Sequence, residues 1–409
     1  MRISGTKNIY YPTIIINSYN IRNNIKVIKE LSKKDIIVVL KSNAYGLNFN
    51  VIFDIIKDLV KKIAINNLRE FFEYKVYEKV KDRVKVLLLF PEYNEYLISQ
   101  SLEFKDILNF SIFSYEYFLF LREILLKRKV VLDVELEIDS GMNRTGIKYY
   151  EIDKIKEVLE FPFFNIKGVY THLSGDGLER ISFQLNNFKY FLDSVGNLPK
   201  CDIHILNSGG FLRLCQINNQ LKNEINNNGF VLVDNSKSVN SKDFKNFLDV
   251  IDLSTSLRIG ILIYGISPNY DLMELKNELN IRNSIKVKIP FIGVKKVLKG
   301  ERVGYINEFI NNFVNEDKLI ALLFMGYSLF PFVNRLLFKV YDDEGSYITS
   351  SIGPMSMDIT QIFIRKENLK EVYLIDDELT IEEQANGKVP VYNYLTGLNN
   401  GNKIDLIVE

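Results

Sequence analysis

The stretch Asp35-Ile36-Ile37-Val38-Val39-Leu40-Lys41-Ser42-Asn43-Ala44-Tyr45-Gly46 carries the pattern on which the fold turns. An unbroken apolar run ends on a lysine, and a short polar segment closed by glycine leads into an amphipathic stretch. Such a run reads as a strand covered on both faces, as in a parallel sheet. Working outward, the same unit recurs, with further strands expected at Lys62–Ile65, Lys85–Phe90, Asn109–Phe113, Val131–Asp139, Lys167–His172, Asp202–Leu206 and Leu257–Tyr264. Between them Asn50–Lys61, Tyr115–Lys127, Tyr150–Glu160 and Ile181–Asp193 space their apolar residues by three and four, which predicts helices with one buried face. Eight strand–helix units over about 230 residues fit a (β/α)8 barrel, with a doubly wound open sheet as the alternative. After about Tyr270 strands and turns replace this alternation, as in Phe338–Tyr341 and Tyr347–Ser351 around Asp342-Asp343-Glu344-Gly345, with little convincing helix. The expected division is a barrel over residues 1–274 and a mostly β domain over 275–409. One segment near 215–249, rich in asparagine, exceeds an ordinary connection by roughly 35 residues and reads as an insertion.

Composition removes several function classes. Among 409 residues, Lys and Arg number 52 against 51 Asp and Glu, a formal charge of +1. No summed field gathers polyanions, so neither nucleic acid nor an anionic membrane surface is expected as a partner. Two cysteines, Cys201 and Cys215, and two histidines supply neither a disulfide framework nor a zinc ligand set, and no metal is expected. No apolar run reaches the roughly 18 residues of a membrane span, and the start of the chain lacks a signal-peptide core. The expectation is a soluble, cytoplasmic protein.

Three constellations carry chemistry. Lys41 closes an apolar strand at the end where barrel enzymes keep catalytic groups, and partial desolvation there lowers a lysine toward nucleophilic use. In Glu135-Leu136-Glu137-Ile138-Asp139-Ser140-Gly141-Met142-Asn143-Arg144-Thr145-Gly146 three acids share one face of a strand. They are costly in an apolar setting unless paired, and Arg144 is the nearest cation in sequence. Small residues after the late strands, Asn207-Ser208-Gly209-Gly210 and Gly260-Ile261, offer backbone N–H groups to a phosphate. Strand-end lysine, anion cradle and inward arginine together describe a site for pyridoxal 5'-phosphate.

On these residues the chain resembles the alanine racemases over nearly its whole length. Lys41-Ser42-Asn43-Ala44-Tyr45-Gly46 looks like that family's cofactor-lysine motif, and Asp139-Ser140-Gly141-Met142-Asn143-Arg144-Thr145-Gly146 matches a second signature. Tyr170-Thr171-His172, Asn207-Ser208, Arg258-Ile259-Gly260, Gly300-Glu301-Arg302-Val303-Gly304-Tyr305, Gly326-Tyr327 and Met355-Ser356-Met357-Asp358 follow in the family's order. The resemblance implies a (β/α)8 barrel followed by a mostly β domain, a homodimer with shared sites, and racemisation of a small amino acid, L-alanine to D-alanine for cell-wall precursors.

By the same resemblance Lys41 binds pyridoxal phosphate, while Tyr45, Asn207, Ser208, Gly260 and Ile261 hold it at the phosphate end. Arg258 faces the pyridine nitrogen, where a permanent cation disfavours ring protonation and so discourages transamination. Racemisation needs an acid/base group on each face of Cα: Lys41 on one and Tyr305, from the second subunit, on the other. Phenols ordinarily titrate near pH 10, and His172 is implied as the group that tunes Tyr305. Arg144 positions the substrate carboxylate, with Met357 and Asp358 lining its pocket across the interface.

Departures from the family's pattern accompany the matches. Glu137 stands where many members carry a carbamylated lysine and is expected to hold Arg144. Leu47-Asn48 replaces His-Gly, Tyr327 lacks the usual Ala-Asp-Gly after it, and Asn400 takes the place of a phosphate-binding tyrosine. Other readings are a racemase of serine or another small amino acid, a basic amino acid decarboxylase of the same architecture, and a divergent cofactor-binding protein without turnover. Arg258 argues against the decarboxylase, which needs an acid at the pyridine nitrogen.

Overall fold

The computed structural model describes residues 11–174, 177–224, 232–234, 237–239, 249–305, 314–329, 336–386, 390–397 and 405–409. In chain order its strands begin with β1 (Thr13–Ile16), β2 (Asp35–Val39), β3 (Lys62–Ile65), β4 (Lys85–Leu88), β5 (Leu108–Ile112), β6 (Leu132–Asp139), β7 (Ile147–Lys148), β8 (Phe164–Tyr170) and β9 (Asp202–His204). They continue through β10 (Leu232–Asp234), β11 (Lys237–Val239) and β12 (Ser256–Ile259). Strands β2, β3, β4, β5, β6, β8, β9 and β12 pair in that order, every pairing is parallel, and β12 returns to β2. The sheet is therefore a closed eight-stranded barrel, not an open one.

Period-two alternation shows why β6 suits such a barrel. Val134, Leu136 and Ile138 are fully buried on the face that turns away from the acids, each contributing roughly 1.5–3 kcal/mol by leaving water. Glu135 and Glu137 alternate with them and meet residues of β3, β5, β8 and β9 across the bore. Outside, the helix Tyr115–Arg128 starts where the Ser114 hydroxyl accepts the Tyr117 N–H at 3.0 Å. It buries Tyr117, Phe118, Leu121, Ile124 and Leu125, and Phe118 packs edge-on against Phe161 and Phe164. Among the described residues no helix is long and apolar enough to cross a membrane.

The chain divides into two compact units, one of residues 22–263 and 267–281 and the other of 1–21, 264–266 and 282–409. In the second, β13 (Ile285–Lys288), β14 (Phe291–Val297), β15 (Lys318–Leu323), β16 (Leu337–Asp342), β17 (Gly345–Ser350), β18 (Thr360–Ile364), β19 (Leu369–Ile375) and β20 (Asp405–Val408) join β1. They form a six-stranded sheet, β17-β16-β19-β13-β1-β20, and a three-stranded one, β14-β15-β18. The hairpin read at Asp342–Gly345 is present, with Asp342 paired to Gly345. Two short helices, Ile381–Ala385 and Val391–Gly397, add to what the sequence reading allowed there.

Several element ends shift by a few residues, as at β4, β8 and β9, and three assignments differ in kind. Strand β1, assigned with the barrel, lies between β13 and β20, because Ile14 and Ile16 find their burial in that sheet. The run Leu257–Tyr264 is not one strand: β12 stops at Ile259, and Ile261–Tyr264 form a 3-10 turn that is equally buried and so equally apolar. Of the segment read as an insertion, the helix Ser208–Glu224 extends well into it, and β10 pairs with β11 in antiparallel fashion; the rest lies outside the described residues.

Candidate active site at the carboxyl ends of the barrel strands

Lys41 lies two residues past the end of β2, where the chain makes an unusual turn. Ser42, Asn43, Ala44 and Tyr45 all have positive φ, between 53° and 59°, and Gly46 follows at 86°. Left-handed backbone costs roughly 1–2 kcal/mol for each residue bearing a Cβ, so the surroundings must hold it. The buried carboxylate of Glu70 does so, accepting the N–H of Ser42 at 2.7 Å and of Asn66 at 2.9 Å. Asn43 Oδ1 accepts the N–H of Phe49 at 2.7 Å. Burial, followed by the charge of Arg144, lowers the Lys41 ammonium below its ordinary pKa, with Glu70 opposing.

The same turn brings Tyr45 to the late strands. A Cβ on Gly260 would overlap the Tyr45 hydroxyl, so glycine lets this phenol rest on the backbone just after β12. There the Gly260 N–H donates to Ser208 Oγ at 3.3 Å. Ser208 is the first residue of the helix Ser208–Glu224, whose opening N–H groups have no partner within the helix. Asn207 anchors that start: its Oδ1 accepts the Gly210 N–H at 2.9 Å, and its amide donates to Leu173 O at 2.8 Å. Ile261 opens the adjoining 3-10 turn. Tyr45, Ser208 and Gly260 thus lie against one another, with Asn207 and Ile261 next to them in the chain, and the N–H groups of a helix start are of the kind that accept an anion.

Below the cradle, a buried chain of charge runs down the bore. Arg258 donates from one guanidinium nitrogen to His204 Nδ1 at 2.6 Å and His204 O at 2.7 Å, and from the other to Thr171 O at 2.6 Å. Its guanidinium lies 4.6 Å from the centre of the Tyr170 ring, which stacks on His204 at 4.7 Å. On its far side, His204 Nε2 donates to Glu135 Oε2 at 2.6 Å. Lys62 Nζ and the Asn109 amide donate to Glu135 Oε1 at 2.8 and 2.6 Å. Burial alone would raise Glu135, but Lys62 and His204 hold it well below the carboxylate range. Arg144, the partner expected for these acids, is not what pairs Glu135; Lys62 is.

Glu137 also differs from expectation. Among the described residues no hydrogen bond or ion pair joins it to Arg144, because Glu137 is buried in the bore while Arg144 is exposed on the loop after β6. Its carboxylate instead accepts the Thr145 hydroxyl at 3.0 Å and the Tyr170 hydroxyl at 3.4 Å. Burial pushes Glu137 upward, against the charge of Arg258, the Thr145 bond and the charge of Arg144. His172 sits two residues past β8, with the Asn207 amide 3.4 Å from its Nε2. Burial, then the charges of Arg258, Arg144 and Lys41, drive it well below its ordinary pKa.

Lys41, Arg144, His172, Asn207, Ser208 and Gly260 therefore follow the carboxyl ends of β2, β6, β8, β9 and β12, and Arg258 lies within β12. Tyr305, Met357 and Asp358 belong to the second unit. There Tyr305 and Met357 are 62% and 54% exposed, and Asp358 Oδ1 accepts the Ser328 hydroxyl at 2.6 Å. Asn400 lies outside the described residues. Sequence reasoning missed Lys62, Glu70 and Asn109. Lys62, a cation opening an otherwise apolar strand, was the one visible signal among them.

His204 is buried and His172 half-buried; both are held below their ordinary value, each by desolvation foremost, with Glu135 opposing at His204. The unfolded chain binds protons on these rings near pH 6.5, whereas the folded one does so only at lower pH. Stability is therefore lost as pH falls below about 6.5, by up to about 1.4 kcal/mol per ring for each pH unit. Urea titrations at about pH 7.5 and 5.5 should give a lower unfolding free energy at pH 5.5, by on the order of 1 kcal/mol or more; equal values would show that these rings are not neutral in the fold.

Comparison with known proteins follows from this geometry. A family model described as alanine racemase, N-terminal domain, matches residues 16–223. The alanine racemase of Fusobacterium nucleatum is 28% identical over 412 residues, spanning 97% of this chain and 99% of its own. That of Helicobacter pylori strain J99 is 25% identical over 388 residues, 90% of each. In fold, the chain resembles an alanine racemase of Clostridium difficile 630 with a TM-score of 0.76 at 22% identity, covering 98% of this chain and 97% of that one. It also resembles the Bartonella henselae alanine racemase with covalently bound pyridoxal phosphate, with a TM-score of 0.73 at 20% identity over 98% and 99% of the two chains.

Proposed function

The chain belongs to the alanine racemase family, and from that premise we propose that it is a pyridoxal 5'-phosphate-dependent racemase interconverting L-alanine and D-alanine. One observation carries the reading: a single left-handed turn sets the Lys41 amine at one end and, through Tyr45, contributes to the anion cradle at Gly260 at the other. An amine and an anion-binding end joined by one turn suit a group with a carbonyl at one end and a phosphate at the other. Tyr45, Asn207, Ser208, Gly260 and Ile261 would hold the phosphate, Lys41 the carbonyl carbon, and Arg258 the ring nitrogen. When bound, the group supplies the electron withdrawal that acidifies the Cα–H of an amino acid.

The chain's own residues account for the rest. Lys41, lowered by burial and Arg144, holds an amine able to take or return a proton at Nζ. Arg144 supplies charge for the substrate carboxylate at the mouth, with Met357 and Asp358 from a second copy. Arg258 keeps its guanidinium fixed by His204 and Thr171, in place of the acid that an electron-sink decarboxylase needs. His172, kept neutral by burial and then by its cationic neighbours, can accept a hydrogen bond from a phenol and so assist Tyr305. The exposure of Tyr305 and Met357 accords with a homodimer in which each site takes residues from the partner. Production of D-alanine in the cytoplasm for cell-wall precursors is the physiological role this reading implies.

A chiral assay over a panel of amino acids, with and without added cofactor, tests the reading. L-Alanine should approach an equal mixture of enantiomers. Full cofactor occupancy with no change in chirality and no exchange of the Cα proton would overturn the assignment, and preference for serine would correct the substrate.

A further inference from the structure

The bore carries more charge than the proposed reaction uses. Glu135 is completely buried, as is His204, and Arg258 is 3% exposed. Three donors converge on the Glu135 carboxylate: the Lys62 ammonium, the Asn109 amide and the His204 ring. Room for it is built into the sheet. Glu135 faces Gly168 on β8, beside a register shift after Val134, and a Cβ on that glycine would stand 3.0 Å from Glu135 Oε2. Lys62 is itself held from a second side, by Asp202 at 3.0 Å, whose own carboxylate accepts the Ser256 hydroxyl at 2.8 Å.

Donor and acceptor roles along this line admit one solution. An ionised carboxylate only accepts, so His204 must carry its proton on Nε2. A guanidinium only donates, so His204 Nδ1 must present its lone pair to Arg258. An imidazolium would set an N–H against the Arg258 N–H. Resting on the racemase reading, we propose that Glu135, anchored by Lys62, is a positioning residue for the reaction: by fixing the tautomer of His204 it fixes the guanidinium of Arg258 at the cofactor's ring nitrogen. Carboxylate, imidazole and guanidinium form a relay of orientation in which no proton has to move. The negative charge at one end strengthens the ring's lone pair at the other, and outer partners of oriented histidines commonly matter about 10- to 100-fold.

Glu135→Gln exposes the logic. If the new amide oxygen faces His204, its NH2 group points at Lys62 and Asn109, donor against donor. If the NH2 group faces His204, the ring must accept there and move its proton to Nδ1, against Arg258. Either way one contact in the line fails, whereas Glu135→Asp retains an acceptor of the same charge.

The chain has only two histidines, so the full-length protein labelled with 15N-histidine yields two side-chain spin systems, assigned with His172→Asn. In the cofactor-free wild type, His204 is expected as the neutral Nε2–H form from about pH 6 to 8. A protonated ring or an Nδ1–H form would overturn the proposal without any variant. In Glu135→Gln the Nε2–H signal should shift or give way to Nδ1–H, and kcat should fall about 10- to 100-fold with KM for alanine within about twofold. Glu135→Asp should restore the tautomer and part of kcat. Wild-type kcat in Glu135→Gln would overturn the proposal, as would loss of kcat in that variant with the His204 signals unmoved. Absence of turnover in the wild type would instead overturn the racemase reading, and the cofactor-free spectra would still decide the line from Glu135 to Arg258.

Discussion

Replacing Lys41 with alanine is expected to abolish racemisation, a loss of at least about a thousandfold, together with the visible absorption of lysine-bound cofactor. Two separate roles disappear with one amine. The covalent anchor for the carbonyl carbon is lost, and so is the group that exchanges a proton with one face of Cα. Lys41→Arg separates these roles from mere charge. It keeps a cation beside Glu70 but, with a guanidinium protonated at any working pH, offers neither nucleophile nor base. Both variants should be inactive in the chiral assay and lack the absorption band. Activity in either would remove Lys41 from the centre of the site. Folding should be largely spared, because Lys41 is partly exposed and the Glu70 bonds to the turn reach backbone N–H groups, not its side chain.

Tyr305→Phe is expected to lower racemisation by about a hundredfold or more while leaving exchange of the Cα proton of one enantiomer intact. Loss of the phenolic hydroxyl disables one face only, so solvent deuterium should still enter through Lys41. A mixing experiment then tests whether the tyrosine comes from the partner. Lys41→Ala and Tyr305→Phe subunits, each with about a hundredth of wild-type activity or less, should regain up to roughly a quarter of it when dissociated together and reassociated. Half of the random dimers are mixed, and each of these has one intact site of two. No recovery, with mixed dimers shown to have formed, would place Tyr305 and Lys41 of a site in the same chain.

Much of the barrel was legible because fully buried parallel strands have to be apolar runs, and Ile36–Val39, Ile63–Ile65 and Val86–Leu88 are buried for that reason. The same argument explains the error at Ile261–Tyr264, since a buried 3-10 turn and a buried strand are composed alike. Lys41 was legible as a polar residue breaking an apolar run. The turn it begins was not, because of Ser42, Asn43, Ala44 and Tyr45 only asparagine favours left-handed backbone. The pairing of Glu135 was hidden for a different reason. Arg144 was the cation within the same motif, whereas Lys62, Asn109 and His204 become neighbours only through the register of a closed barrel, which places residues of β3, β5, β6 and β9 in one layer. Likewise β1 carries no local mark of belonging with β13 and β20; its partners are settled by long-range pairing.

That strand constrains how the protein is made. β1 pairs antiparallel with β13 and parallel with β20, through Thr13↔Asp405 to Ile16↔Val408. During translation at about 5–20 residues per second, β20 leaves the ribosome roughly 20–80 seconds after β1. The barrel strands, β2 to β12, have all emerged well before then. A nascent chain can therefore close its barrel while Ile14 and Ile16 still wait for a sheet that does not yet exist. For that interval β1 is an exposed apolar segment of the newborn polypeptide, open to the association at unpaired strands that chaperones suppress.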